Sequence, residues 1–325
     1  MFRHAPWAAA ILFAAAVRPA TQTNRRPPLP DVAMVSITGN IHGSIPPAVC
    51  SRPGDDGIAV QAFEETSGRD DSSRVGASGS FELEMESACV APFFQALFAH
   101  ERLSTRVTFT GGTLHAPSSI TLEDAQLTHV DLRLVSVAGR SRPRVAVGFS
   151  APHVLSTDTS GMIVQTGSAE RRRARAFRAS AQTSVRATAA DAWMQHGVDA
   201  ALHLAAAETA ADETSHIRRF HLSVSMPSSR SNAADPRIVL DSVVAVDAAQ
   251  NKPRSERLGR DTPLHQAILM VNGQDGTTGI TIWLKGAQPA HTDARGKRRA
   301  GATLAITAAS LTITDISSGR TASTP

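Results

Sequence analysis

Phe81-Glu82-Leu83-Glu84-Met85 and, six residues on, Ala91-Pro92-Phe93-Phe94-Gln95-Ala96-Leu97-Phe98 decide the class of fold. The first run alternates apolar and acidic residues, which sets Phe81, Leu83 and Met85 on one face of a strand and both glutamates on the other. Around the second run, Val90, Phe93, Phe94, Leu97 and Phe98 recur at i, i+3, i+4, i+7 and i+8. That stripe predicts a helix over 91–101 whose aromatic face belongs in a core. Pro92 suits its first turn, where a missing N–H removes no hydrogen bond. Strand patterns flank this helix at 33–37 and 58–64 before it, and at 106–110, 120–127 and 145–149 after it. The Ser-, Gly- and Asp-rich stretch 65–79 reads as a long exposed loop.

The second half follows a similar order. Val198, Ala201, Leu202 and Ala205 predict a helix within 191–211, and strands follow at 219–224, 236–241, 243–246 and 266–271. Ile120-Thr121-Leu122-Glu123-Asp124 aligns with Ile238-Val239-Leu240-Asp241-Ser242 at an offset of 118, near the 108 that separates Val90 from Val198. An internal duplication is predicted, with domains at 31–155 and 156–325. Further strands at 280–284 and within 303–316, beside a basic turn at 295–299, extend the second domain.

Composition agrees with a globular chain that has a sizeable core: 325 residues, 42% hydrophobic and 19% charged. Aromatics are only 4% and Tyr is absent, so Val, Ile, Leu and Ala carry the core, a choice that favours sheets. Met1 to His4 form a short basic start, an apolar stretch runs from Ala5 to Val17, and small residues lead to Ala20. This pattern predicts a cleaved secretory signal over 1–20 and a secreted or periplasmic address. Thirteen apolar residues fall short of the roughly 20 that span a bilayer, so no membrane span remains after cleavage. The proline-rich 21–30 stretch reads as a tether.

Net charge is +4, too small to mark a nucleic-acid binder. Its distribution is uneven: residues 31–160 hold 15 acidic against 9 basic side chains, and 161–325 hold 14 against 20. Cys50 and Cys89 are the only cysteines, an even number that in an exported chain predicts a disulfide between them; two buried thiols are the alternative.

A search for chemistry finds no catalytic residue, cofactor or metal motif. Gly76-Ala77-Ser78-Gly79-Ser80 lacks the spacing of a nucleophile elbow. Gly296-Lys297 lacks a phosphate loop's upstream glycine. His196, His203, His216 and His221 do not form the i, i+4 pairs that zinc sites on helices use. Asp55-Asp56 and Asp70-Asp71 lack the alternate acids of a calcium loop. Arg171, Arg172, Arg173, Arg175 and Arg178 make the densest basic patch, read as a solvated segment or a site for an acidic protein partner.

Several short runs resemble the haemolysin-coregulated protein family, the tube subunits of type VI secretion systems. Val35-Ser36-Ile37-Thr38-Gly39-Asn40-Ile41-His42-Gly43-Ser44 is similar to its opening strand and glycine turn, and Ile58-Ala59-Val60-Gln61-Ala62-Phe63 to its second strand. Phe81 to Ser87 with Ala91-Pro92-Phe93-Phe94-Gln95-Ala96 resembles its strand and helix start, and Ile120-Thr121-Leu122-Glu123-Asp124-Ala125-Gln126-Leu127 its late strand. The resemblance implies a mainly β chain of two tandem small β-barrel domains, each with one short α-helix. It also implies subunits that form stacked six-membered rings, with no catalytic residue and with the polar loop as a ring contact through Thr66, Arg69, Asp70, Asp71 and Arg74. The leader and the duplication set this chain apart from the family's single-domain subunits. The function expected is that of an exported, non-enzymatic, self-assembling protein. In it the acidic first half of one copy meets the basic second half of the next. A periplasmic or cell-surface binding protein for a glycan or protein partner is the alternative.

Overall fold

In a computed structural model, the chain is described at residues 32–39, 44–45, 57–68, 78–85, 89–110, 119–137, 139–157, 163–165, 174–178, 197–206, 213–227, 235–247, 252–253, 264–273, 276–289 and 304–325. The predicted leader over 1–20, the predicted tether over 21–30 and Cys50 lie outside these residues. Among them are twenty strands, all in one antiparallel hydrogen-bonded sheet, and one α-helix.

The first half comprises β1 (Val32–Gly39), the two-residue β2 (Ser44–Ile45), β3 (Ile58–Gly68), β4 (Ser78–Met85), α1 (Ala91–Phe98), β5 (Leu103–Thr110), β6 (Ser119–Val137), β7 (Arg140–Ala151), β8 (His153–Thr157) and β9 (Ile163–Gln165). Its main strands pair in the order β1–β3–β4–β7–β6–β5, and β5 pairs back with β1. The predicted alternation holds: Phe81, Leu83 and Met85 are buried, and Glu82 is exposed. Val35, Ile37, Val107, Leu122 and Val147 join them inside. Burying each such side chain contributes about 1.5–3 kcal/mol.

After β10 (Ala174–Arg178) the second half comprises β11 (Val198–Ala206), β12 (Glu213–Ser225), β13 (Arg237–Asp247), β14 (Lys252–Pro253), β15 (Leu264–Gly273), β16 (Thr278–Lys285), β17 (Gln288–Pro289), β18 (Leu304–Ala308), β19 (Ser310–Asp315) and β20 (Arg320–Ser323). One unbroken register, from Ile280 opposite Asp315 to Pro289 opposite Ile306, makes β16 with β17 a single long strand beside β18 with β19. With these merged, the second half pairs as β11–β12–β13–β18–β16–β15 and returns to β11. When the six main strands of each half are numbered in chain order, the two halves have the same pairings. First joins second, second third, first fourth, fourth fifth, fifth sixth, and third sixth. The buried apolar side chains of both halves form one contiguous cluster.

Three expectations are corrected. The predicted second helix is strand β11, in which Val198, Ala200, Leu202 and Leu204 are buried and Asp199 is exposed. Its alanines fit either a helical or a two-residue period, and hydrogen bonding to β12 on one side and β15 on the other decides for the strand. The predicted loop 65–79 is shorter, because Glu65, Thr66 and Gly68 of β3 pair with Phe81, Ser80 and Ser78 of β4. Small polar residues hid these strand ends, and 69–77 lie outside the described residues. The 118-residue alignment matches unlike strands, since β6 is fifth in its half and β13 third. Matching pairings instead set Ile120-Thr121-Leu122-Glu123-Asp124-Ala125 beside Ile282-Trp283-Leu284-Lys285-Gly286-Ala287. Asp124, Ser242 and Gly286 each take a left-handed conformation, with φ of 53°, 53° and 59°, and a buried apolar residue follows each, so this feature fits both alignments.

Candidate functional site

The two halves meet along a strand edge. β6 is 19 residues long; its early part pairs with β5, which leaves its edge free beyond Ala125. β12 pairs with β11 only as far as Ile217. The two free edges zip together, from His221 opposite Arg133 to Ser225 opposite His129. On the inner face Val130, Leu132, Leu222 and Val224 are fully buried.

The other face carries the charges. Asp131 Oδ2 lies 2.9 Å from Arg133 Nη2 and 3.0 Å from His221 Nε2, and His221 Nδ1 lies 3.2 Å from Asp241 Oδ1. Burial alone would push the Asp131 carboxyl up, but its contacts with His221, Ser223 and Arg133 outweigh burial and hold it at about 2. Asp131 in turn raises His221 above its ordinary value, against the opposing effect of burial. A histidine serving as general base needs one ring nitrogen turned to a nucleophile, whereas both nitrogens here face carboxylates. The cluster is arranged to hold an imidazolium between two halves.

Its pH dependence follows. His221, raised in the fold, stabilises fully below 6.5, and that contribution is lost as pH rises through the folded value. Asp131, lowered from 3.8, stabilises by on the order of 2 kcal/mol above pH 4, which is lost as pH falls toward about 2. Urea midpoints should therefore separate wild type from His221→Gln more widely at pH 5.5 than at pH 8.5. An equal gap at both pH values would refute the charge role.

A second contact joins α1 to the end of the chain. Val90, at the helix N-cap position, offers no side-chain cap. Asp315 of β19 supplies one instead, accepting the backbone N–H of Val90 at 2.9 Å and of Ala91 at 2.5 Å on Oδ2, and of Ser318 at 2.6 Å on Oδ1. Gln95 Nε2 donates to the Thr321 carbonyl at 2.7 Å. A carboxylate at a helix N-terminus satisfies orphan donors and complements the dipole.

Apart from His221, the residues singled out in the sequence fall elsewhere. Cys89 is buried and disulfide-bonded just before α1; Cys50 lies outside the described residues. Thr66 is in β3 opposite Ser80 and Ala174, and Arg69, Asp70, Asp71 and Arg74 lie outside. Arg175 and Arg178 belong to β10, and Arg171, Arg172 and Arg173 lie outside. His203 and His216 stand on β11 and β12, with His196 outside. Among the described residues no three His, Cys, Asp or Glu side chains are grouped to hold a metal, and no helix is long and apolar enough to cross a membrane. Of the residues that do meet, Asp131, Asp241 and Asp315 were missed because their partners are distant in the chain, and His221 was weighed only as a zinc ligand. On the outer face of the second half, His203, Gln266, Ile268, Met270, Thr281 and Trp283 line a shallow hollow, and Trp283 is 39% exposed.

No family model and no curated protein matches the sequence. Among solved structures, the chain is similar to an Hcp protein at 20% identity and a TM-score of 0.34, over 41% of this chain and 95% of that one. It is also similar to the secreted protein Hcp3 from Pseudomonas aeruginosa at 18% identity and a TM-score of 0.31, with the same coverage.

Proposed function

We propose that the chain is an exported, non-enzymatic structural protein that self-assembles. On this reading it is a duplicated relative of the type VI secretion tube subunits in which each half is a small six-stranded barrel. The observation that carries the proposal is the junction itself: two halves with the same strand pairings already join through unlike edges, β6 of one to β12 of the other. A contact between unlike surfaces of like units is the kind that repeats into rings or filaments. The strand pairings that the two halves share support the duplication. Opposite charge in the two halves supports a salt-sensitive contact between copies.

Size-exclusion chromatography with light scattering, followed by negative-stain imaging, tests this. Rings or filaments are expected at low ionic strength, and they should disperse as salt rises. A monomer at low salt and high concentration would overturn the reading.

The hollow that Trp283 helps to line favours a second reading, a binding protein for a glycan, because an exposed aromatic ring shares that lining with His203, Gln266 and Thr281. A thermal-shift screen of oligosaccharides separates the two, since a ligand bound only by the folded state raises Tm. No shift across the screen would remove it.

A further inference from the structure

The five residues of β10 pair with β3 from Arg178 opposite Ala62 to Ala174 opposite Thr66. They occupy an edge that β1 leaves open, because β1 pairs with β3 only at Ile58, Ala59 and Val60. The second half has a matching edge. A register shift after Val60 on β3 corresponds to one after Ile217 on β12, which sets Ala62 to Thr66 beside Arg219 to Ser223. There β6, a strand of the other half, pairs with His221 to Ser225 and so takes the last three of these five positions. The same edge thus receives a strand from another unit in one half and the connecting strand β10 in the other.

We propose that β10 is an exchangeable strand, and that the β3 edge at Ala62 to Thr66 accepts the Ala174–Arg178 strand of a second copy of this chain. The inference rests on the self-assembly reading and names its contact. In this register Arg175 stands opposite Glu65 and Ala176 opposite Glu64. Chain length permits exchange. Residues 166–173 join β10 to β9 and span up to about 27 Å when extended, and residues 179–196 join it to β11 and span up to about 60 Å. Exchange preserves every backbone hydrogen bond of the seat, so only the origin of the strand changes, as in domain swapping. An unfilled β3 edge would template pairing with another chain.

Two single variants of the full chain, Phe63→Cys and Phe177→Cys, are mixed, incubated near neutral pH and oxidised, because these positions face each other across the seat. A covalent heterodimer on a non-reducing gel is expected only from the mixture. Its absence overturns the exchange, provided that a Phe63→Cys/Phe177→Cys double variant closes its own cross-link. A double variant that does not cross-link overturns the seat itself. Light scattering of the wild type separates the two readings. Oligomers without the heterodimer would defeat strand exchange alone, and a monomer would defeat self-assembly as well.

Discussion

Asp315→Ala is expected to lower the stability of the whole chain by about 3 kcal/mol, because it strips acceptors from three backbone N–H groups at once. The side chain is fully buried, so water does not replace it without opening the fold. Two of the donors belong to the start of α1, where caps are worth about 0.5–2 kcal/mol, and the third belongs to the turn after β19. For a chain of this size the loss corresponds to a fall in Tm on the order of 4 °C. Asp315→Asn keeps one carbonyl acceptor and should recover part of it. Urea and thermal melts decide the matter: an unchanged midpoint in the alanine variant would mean that α1 is not held by this carboxylate.

The second large effect is expected where Leu132 of β6 faces Leu222 of β12, both fully buried. Either change to alanine should cost about 2–5 kcal/mol, part of it from the cavity left behind. The double variant should cost less than the two singles together, by about 1 kcal/mol, because the second truncation removes a contact already lost. Losses that add within about 0.3 kcal/mol would show that the halves do not pack through this pair. Tryptophan fluorescence and far-ultraviolet circular dichroism should follow a single transition if the junction couples both halves.

How much was legible depended on whether a residue's neighbour along the chain was also its neighbour in space. The alternation at Phe81 to Met85 and the 3-4 spacing from Val90 to Phe98 announce a strand and a helix, because each face is written locally. Val198 to Ala206 carried the strand period too, but Ala201 and Ala205 supplied a competing helical one, and only pairing with β12 and β15 chose between them. Duplication was suggested by a match between Ile120 and Ile238 that compares unlike strands, and the corresponding run at Ile282 was masked by Trp283 and Lys285. The charge cluster had no local signature at all. Asp131 and His221 stand ninety residues apart, and an acid between Val130 and Leu132 reads simply as the outward face of a strand.

The cap on α1 also sets a clock. Asp315 lies 225 residues beyond Val90, and a chain that grows at about 5–20 residues per second needs roughly 10–45 s to make that span. Throughout that interval the first half has its aromatic helix but not the carboxylate that fixes its start. Residues synthesised long after the first half therefore act as its latch, and a chain truncated before Asp315 leaves that half unfastened, however complete its own strands are.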